Sequence, residues 1–245
     1  MSGASAVGEA LAPIVSAIVL AAGASTRMGR PKQLLPWGGR PMVRHVAEIF
    51  ARSMASEVVV VVGCRADAVA RAVLGNEHCA GAPVRVAVNA AWEDGMASSV
   101  ACGVAAARAD ADAFLIALSD HPAVDVGVVD VLIAAFAGRS PGERARAVLA
   151  PVHAGRRGHP VLLGSGLRAE LAALGRAAAF GPGQPCTLRD IVRANTDPVA
   201  SFVEVESAGV RMDLDTPSDY AEAVRRMPES TPYMAEPEGS ERHGD

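Results

Sequence analysis

Short runs of β-branched and other apolar residues alternate with segments of helical periodicity along most of the chain. The apolar runs lie at 16–20, 57–62, 84–88 and 113–118, and the helical segments at 42–53, 66–74, 97–108 and 126–137. Because consecutive parallel strands need a crossover, which is usually a helix, this alternation predicts βαβ units and a mostly parallel sheet. Half of the residues are hydrophobic but only 4% are aromatic, which is typical of aliphatic sheets covered by helices on both faces.

The second half of the chain continues this pattern less regularly. After a polar loop at 138–144, we expect strands at 147–150, 160–163 and 202–205, a helix at 167–174 and a closing segment at 210–220 that leads into a last helix. The economical interpretation is a single α/β domain over residues 14–227, with a doubly wound, Rossmann-like sheet. The featureless segment 1–13 and the acidic segment 228–245 are predicted to be disordered tails.

Charge and cysteine content exclude several classes of protein. The formal net charge is −4, which argues against nucleic acid or an anionic membrane as the main partner. The four cysteines, at 64, 79, 102 and 186, form no C-x-x-C pair, so neither a disulfide framework nor a zinc site is expected. The apolar run at 10–24 has no basic residue before Arg27 and is too short to span a bilayer, so we predict a cytoplasmic protein.

A glycine-rich turn follows the first predicted strand and reads Leu20-Ala-Ala-Gly23-Ala-Ser25-Thr-Arg27-Met-Gly29-Arg-Pro-Lys32. At the carboxyl end of such a strand, backbone N–H groups can bind phosphate and basic side chains add charge. Neither a Walker loop nor the G-x-G-x-x-G dinucleotide fingerprint fits this spacing. The alternative is a turn whose glycines only redirect the chain and whose Arg27 and Lys32 are solvated.

Lys32 favours the phosphate-binding interpretation on compositional grounds. Lysine and arginine together number 23, and Lys32 is the sole lysine, so its place in this loop would be a one-in-23 coincidence. An ammonium group binds phosphate as a compact point charge, whereas a guanidinium is a planar fork. The loop is therefore the first candidate for a binding site.

The loop, followed by Gln33-Leu-Leu-Pro36 and Gly39-x-Pro41, resembles the molybdopterin-type nucleotidyltransferases, above all the molybdenum cofactor cytidylyltransferases. More distantly it is similar to sugar-phosphate nucleotidyltransferases, which share the nucleotide-diphospho-sugar transferase type of sheet. The resemblance implies a loop that wraps a nucleoside triphosphate with Arg27 and Lys32 on the phosphates, both as catalytic residues. Ala22, where guanylyl-transferring relatives more often have a second glycine, favours CTP.

A second matching segment runs from Asn89 to Ser99 and contains Gly95-Met96-Ala-Ser-Ser99. The resemblance implies that it lines the nucleotide site, although Ser98 and Ser99 would also suit the cap of the following helix. Trp92 is expected to be a wall of the cleft or a surface anchor. The full predicted nucleotide-binding set is Leu20, Ala21, Ala22, Gly23, Ser25, Arg27, Lys32, Asn89, Gly95, Met96 and Ser99.

Three aspartates are candidate metal ligands. Asp120 ends an apolar strand within Ser119-Asp-His-Pro122 and corresponds to the family's Asp-x-Pro, whose Asp holds Mg²⁺ as a catalytic residue. Asp213 and Asp215 match the family's Asp-x-Asp-Thr-Pro-x-Asp, and on a strand they would point to the same face and share one cation. We favour Asp215 slightly. Thr216 is predicted to cap the last helix, with Pro217 at its first position.

The acceptor side is expected to combine His121, Pro122, Arg157, Gly158 and His159. The last three belong to a Gly-x-x-Gly-x-Pro turn at 155–160 that is similar to the family's, and its arginines either meet an acceptor phosphate or are solvated. His121 stands where the family commonly has Gln. The Gly-Asp-x-Gly-x-Arg stretch of many cytidylyltransferases is replaced at 175–190 by a different sequence.

The resemblance implies an Mg²⁺-dependent enzyme that transfers CMP from CTP to a molybdopterin-type acceptor and releases pyrophosphate. A molybdenum hydroxylase apoenzyme is a possible partner. Three alternatives stay open, namely a sugar-phosphate or phosphoacid nucleotidyltransferase, a non-catalytic cofactor carrier or insertion chaperone, and an oxidoreductase that reuses the fold. An oxidoreductase is least expected because the dinucleotide fingerprint is missing.

Overall fold

The computed structural model describes residues 12–75, 80–175, 187–197 and 201–227. The strands are β1 (Val15–Ala21), β2 (Pro36–Trp37), β3 (Arg40–Pro41), β4 (Glu57–Val62), β5 (Val84–Val88), β6 (Ala113–Leu118), β7 (Val148–His153), β8 (Arg156–Arg157), β9 (Val161–Gly164) and β10 (Phe202–Glu204). The α-helices are α1 (Met42–Ala51), α2 (Ala66–Leu74), α3 (Met96–Ala106), α4 (Val126–Ala137), α5 (Pro141–Ala145), α6 (Arg168–Ala173), α7 (Leu188–Asn195) and α8 (Pro217–Arg225).

The main sheet has the strand order β10-β7-β9-β6-β1-β4-β5, with β8 paired to β7. The pairs β6–β1, β1–β4, β4–β5 and β10–β7 are parallel, whereas β9 is antiparallel to both of its neighbours. The predicted doubly wound, mostly parallel sheet in a single domain is therefore confirmed. The helices cover both faces, with α1, α2 and α4 on one apolar cluster and α3, α6 and α7 on the other.

The central strands are buried on both faces, as their uninterrupted apolar sequences predict. Every residue of β1 and β4 is buried. The same expectation is wrong for β5, an edge strand in which no residue is fully buried and Arg85 and Val88 are exposed, Val88 by 64%. Edge strands lack a neighbour on one side and are commonly partly solvated.

Several elements differ from the sequence-based predictions. The expected loop at 138–144 contains the start of α5, where Ser140 and Glu143 form a capping box. Helix α7 was not predicted, although Thr187 and Asp190 form the same kind of box at its start. Asp213 and Asp215 lie in an irregular segment rather than on a strand. The predicted tails lie outside the described residues, apart from residues 12 and 13, as do residues 176–186 of the divergent stretch.

One edge of the sheet collects the loops that carry the predicted site residues. Parallel strands end at the same edge, and the antiparallel β9 begins there. The loops after β1, β6 and β7 and the segment before α8 consequently approach one another. Within the described ranges, no helix combines the length and apolar character needed to cross a bilayer.

Candidate active site

The loop after β1 is held in shape by the buried side chain of Gln33, which is 2% exposed. Its Nε2 donates to the carbonyls of Gly23 at 2.7 Å and Ala21 at 3.2 Å. The Ser25 hydroxyl donates to Gln33 Oε1 at 3.2 Å and accepts from the Lys32 amide at 3.1 Å. Ser25 also has a left-handed backbone with φ of 56°, which a non-glycine residue adopts only under local constraint. Gln33 was not among the predicted site residues, although it follows Lys32 directly.

The same loop is anchored to the segment that carries the last two aspartates. Met28 packs in a small apolar cluster with Leu214, which lies between Asp213 and Asp215, and with Trp37 from the β2–β3 hairpin. The Leu214 amide donates to the carbonyl of Asp120 at 3.1 Å. Three segments that are distant in sequence are thereby fixed to one another.

Four charged side chains from these segments form a closed cluster, which we call the cation–carboxylate cluster: Arg27, Lys32, Asp120 and Asp215. Lys32 Nζ donates to Asp120 Oδ2 and, at 3.0 Å, to Asp215 Oδ1. Arg27 Nη2 lies 3.0 Å from Asp215 Oδ2. The side chains of Lys32 and Asp120 are only 17% and 14% exposed, whereas that of Arg27 is 72% exposed.

The cluster favours the charged forms of Lys32 and Asp215. Burial alone would lower the pKa of Lys32, but the carboxylates of Asp120 and Asp215 outweigh it, and the pKa of the ammonium group is raised. The hydrogen bond from Lys32, assisted by Arg27, lowers the pKa of Asp215. Opposite charges within a few ångströms favour the ionised state of both partners.

Asp213 and Asp215 have different environments. Asp215 is half-buried and paired, whereas Asp213 is exposed and has no ion pair among the described residues. Thr216 caps α8 through the amide of Asp219, and Pro217 occupies the first turn, as predicted. The cap fixes the backbone directly after Asp215.

A cavity of about 340 Å³ opens beside the cluster. Eight of the predicted residues line it: Leu20, Ala22, Gly23, Lys32, Gly95, Met96, Ser99 and Asp120. The structure adds six lining residues: Ala24, Gln33, Trp92, Glu93, Leu118 and Ser119. Trp92 is thus a wall of the cleft. Ala21, Ser25, Arg27 and Asn89 are not lining residues of this cavity.

Asn89 does not line the cavity, but it contacts Ser99, which does. Its side chain is buried, donates to the hydroxyls of Ser98 at 2.9 Å and Ser99 at 3.1 Å, and accepts from the Ala91 amide at 3.0 Å. The expectation that Ser98 or Ser99 might cap the helix is wrong, because α3 begins at Met96 and its N-cap is Gly95 without a side-chain bond. Asn89 instead fixes the first turn of α3.

A second cavity of about 510 Å³ adjoins the first, and Met96 and Leu118 line both. Of the predicted acceptor residues, Arg157, Gly158 and His159 line it. The remaining lining residues are Val148, Ala150, Val161, Leu188, Arg189, Val192, Thr196, Ser201 and Phe202. The Arg157 guanidinium lies 4.2 Å from the centroid of the Phe202 ring, within the range of cation–π contacts. Among the described residues, no carboxylate lines this cavity.

The other two predicted acceptor residues, His121 and Pro122, line neither cavity. The His121 ring is buried and packs edge-on against His159, with 5.2 Å between centroids. Burial lowers the pKa of both imidazoles, that of His159 to about 4 with help from His121. The Pro122 carbonyl accepts from Nε2 of His45 in α1 at 3.0 Å. His45, which sequence analysis missed, therefore anchors the loop that carries Asp120.

The carboxylate oxygens of the cluster are suitable ligands for a divalent cation. The carboxylates of Asp120 and Asp215 converge on one point, the Lys32 ammonium group, and carboxylate oxygens are suitable ligands for Mg²⁺ or Mn²⁺. In the described part of the chain, no set of three acidic, histidine or cysteine side chains is arranged around one point. Mg²⁺ that is shared with substrate phosphates commonly uses only one or two carboxylates.

Comparison with solved structures supports the fold. The structure is similar to that of Rv0371c from Mycobacterium tuberculosis, with a TM-score of 0.67 and 24% identity. The match covers 88% of this chain and all of Rv0371c. The structure is also similar to the manganese complex of Rv0371C, with a TM-score of 0.64 and 22% identity, over 87% of this chain and all of the other. At these identities the likeness concerns the fold.

Sequence comparisons match most of the described part of the chain, from the first strand onward. The chain is 38% identical over 169 residues to nicotine blue oxidoreductase of Paenarthrobacter nicotinovorans, covering 68% of this chain and 79% of that protein. It is 24% identical over 223 residues to the molybdenum cofactor cytidylyltransferase of Escherichia coli, covering 88% and 98%. Residues 17–198 match the MobA-like NTP transferase domain. The chain therefore belongs to the MobA-like NTP transferase family and is, at this general level, an enzyme of the nucleotidyltransferase type.

Proposed function

We propose that the protein transfers CMP from CTP to a molybdopterin-type cofactor, with Mg²⁺ as the metal and pyrophosphate as the second product. The observation that carries this proposal is that Lys32 and Asp120 of the cation–carboxylate cluster line the first cavity, which shares Met96 and Leu118 with the second. Such an arrangement brings a donor and an acceptor together at one charged point. Orientation of this kind supplies much of the rate of group transfer.

The first cavity would hold the nucleoside triphosphate. Gly23, Lys32, Trp92 and Ser99 all line it, and the phosphates would lie beside Gly23 and Lys32. The choice of CTP rests on Ala22 in the loop and on the similarity to a cytidylyltransferase. Arg27, which is exposed beside Asp215, would fold over the phosphates from outside.

The reaction would be an in-line attack by an acceptor phosphate oxygen on the α-phosphorus of CTP, with pyrophosphate leaving. Asp120 and Asp215 would hold the metal, which when bound supplies positive charge to the phosphate oxygens. Lys32 and Arg27 would stabilise the negative charge that develops on the transferred group. The acceptor phosphate is already ionised, so neither His121 nor His159 is needed as a base.

The second cavity favours an acceptor with a planar heterocyclic ring over a sugar phosphate. Its lining is mostly apolar, with the ring of Phe202 and the aliphatic side chains of Leu188 and Val192. Arg157 and Arg189 supply positive charge, and no carboxylate stands beside them in the part of the lining that the structure describes. A planar heterocycle that carries a phosphate matches this combination, because its ring can pack on the apolar residues and its phosphate can meet the arginines.

The product of this reaction would be handed to a molybdenum hydroxylase apoenzyme in the cytoplasm. Support comes from the similarity to the cofactor cytidylyltransferase and to an enzyme named as an oxidoreductase. The net charge of −4 gives no reason to expect nucleic acid or an anionic membrane as a further partner.

Pyrophosphate release tests the proposal directly. The protein is mixed with Mg²⁺ and each nucleoside triphosphate in turn, with and without molybdopterin cofactor. We expect release with CTP that requires the cofactor and is lost in Asp120→Asn. Glucose 1-phosphate serves as the sugar-phosphate comparison. Binding of cofactor without release would contradict the proposal and support a carrier role.

A second activity, reduction of a planar aromatic compound, is favoured by the 38% identity to nicotine blue oxidoreductase. The apolar cavity beside Phe202 would admit such a compound. Oxidation of a reduced nicotinamide cofactor in the presence of nicotine blue, followed by the change in absorbance, would reveal this activity. If it occurs in Asp120→Asn at the wild-type rate, it is independent of the proposed metal site.

A further inference from the structure

Lys32 lies between the two carboxylates that would hold the metal. Its Nζ contacts Asp120 Oδ2 and lies 3.0 Å from Asp215 Oδ1, and Arg27 engages the other oxygen of Asp215. Two positive and two negative side chains thus close on one another, so that the cluster is neutral. A residue expected to bind phosphate is here engaged entirely with carboxylates.

We propose that Lys32 is an internal counter-cation that competes with the divalent metal for Asp120 and Asp215, so that tight metal binding depends on the nucleotide. The inference rests on the proposed nucleotide site. A divalent ion entering the closed cluster would meet the Lys32 ammonium at short range, and like charges in a sheltered site repel strongly. Lys32 must therefore leave before the metal binds tightly.

The first cavity offers the Lys32 side chain an alternative position. Its side chain also lines the first cavity, next to Gly23, where the phosphates of a nucleotide would lie. A triphosphate brings several negative charges and thus offers the ammonium group a new partner. Nucleotide binding would draw Lys32 away from the carboxylates and free them for the metal. Metal without nucleotide would compete with an ion pair that is already formed.

Mn²⁺ binding without nucleotide tests the competition, because free Mn²⁺ is measured directly by electron paramagnetic resonance. We expect Lys32→Met, which keeps the length of the side chain and removes its charge, to bind Mn²⁺ about tenfold more tightly than wild type, or about 1.4 kcal/mol. Lys32→Met combined with Asp120→Asn should lose that site. Unchanged or weaker binding in Lys32→Met, or no Mn²⁺ binding in any variant, would overturn the proposal.

Arg30→Met is the matched control. Arg30 is exposed in the same loop and has no ion pair among the described residues. Its removal changes the net charge by the same amount without opening the cluster. If Arg30→Met tightens Mn²⁺ binding as much as Lys32→Met does, the effect is general electrostatics and the proposal fails.

Amine labelling gives a second test in the wild-type protein. Because Lys32 is the sole lysine, acetylation of its peptide, measured by mass spectrometry, reports one side chain. Saturating Mn²⁺ should raise the labelling rate as the ammonium group is displaced, and addition of CTP should lower it again. A rate that Mn²⁺ leaves unchanged or lowers would contradict the displacement. Neither experiment needs turnover, so a negative pyrophosphate assay would leave both results interpretable.

Discussion

Gln33 donates a hydrogen bond of 2.7 Å to the carbonyl of Gly23 and thereby closes the loop after β1 from the inside. The contact fixes the backbone that would face the phosphates while Lys32, the adjacent residue, points to the carboxylates. The loop is thus shaped by an uncharged side chain that does not need to touch a phosphate.

Gln33→Leu should lower kcat/KM for the nucleotide by about a hundredfold, because small displacements of a positioning loop have effects of that size. The loss of the donor also leaves two carbonyls less well satisfied, at a cost of about 1–3 kcal/mol. Steady-state kinetics and urea unfolding separate the two effects. A variant with the wild-type KM would show that the loop keeps its shape without Gln33.

Asp213 and Asp215 should respond differently to the same substitution. Asp215→Asn removes the partner of Lys32 and Arg27, and we expect activity to fall at least about a hundredfold. Asp213→Asn, at an exposed position, should change kcat/KM by less than about fivefold. Equal losses in the two variants would mean that both carboxylates serve the metal.

His45 makes stability depend on pH. Burial lowers its pKa, Arg40 and Arg52 act in the same direction, and the bond to Pro122 and the charge of Glu48 oppose them. Below about pH 6.5 the unfolded chain therefore binds a proton that the folded chain does not. The stability contribution is complete above that pH and is lost as the pH falls through the folded pKa.

His45→Gln keeps a donor for the Pro122 carbonyl and removes the titration. Between pH 8 and pH 5.5 we expect this variant to lose less unfolding free energy than wild type, by about 1.4 kcal/mol for each unit of pKa shift. Urea unfolding at both pH values measures the difference. An identical loss in the two proteins would assign the pH dependence to other groups.

Gly103 allows α3 to lie close against the sheet. A Cβ at this position would come within 2.3 Å of Ile18 Cγ2 and 3.0 Å of Val61 Cγ2. Gly103→Ala should cost about 1–3 kcal/mol by overpacking and raise KM for the nucleotide, because α3 carries Ser99. Gly142→Ala, where a Cβ has open space, is the control and should be neutral or slightly stabilising.

Arg157→Met should weaken binding of the acceptor and leave binding of the nucleotide unchanged. The substitution keeps an apolar side chain over Phe202 and removes one of the two cations in the second cavity. We expect KM for the acceptor to rise about tenfold, as one charge-assisted bond would give, with KM for the nucleotide unchanged. A rise in both values would place Arg157 in the shared part of the site.

The sequence was sufficient for most of the fold because each central strand is an apolar run bounded by turn residues. The edge strand β5 carries Arg85 among its apolar residues, whereas β4 has five consecutive valines after Glu57, so the sequence of β5 already indicated a partly solvated strand. Helices α5 and α7 were missed although each starts with a capping box that is visible in the sequence. Their apolar faces are short, which weakens the periodic signal.

The site was predictable where a residue faces a cavity and less so where it acts through another residue. The sequence indicated Lys32, Asp120 and Gly95, which line the first cavity. It did not show that Asn89 bonds to the serines of α3 or that His45 reaches Pro122, because those partners are 10 and 77 residues away. Such contacts become visible only when the packing of elements is known.

The reversed strand β9 has a consequence for how this family can diversify. Since it runs against β6 and β7, the turn that leads into it opens on the same rim as the loops of the nucleotide half. New acceptor chemistry can then arise by exchange of the segments around β7, β9 and α7, while the donor machinery on the other strands stays intact. The topology thus places segments that can be exchanged beside strands and loops that stay the same.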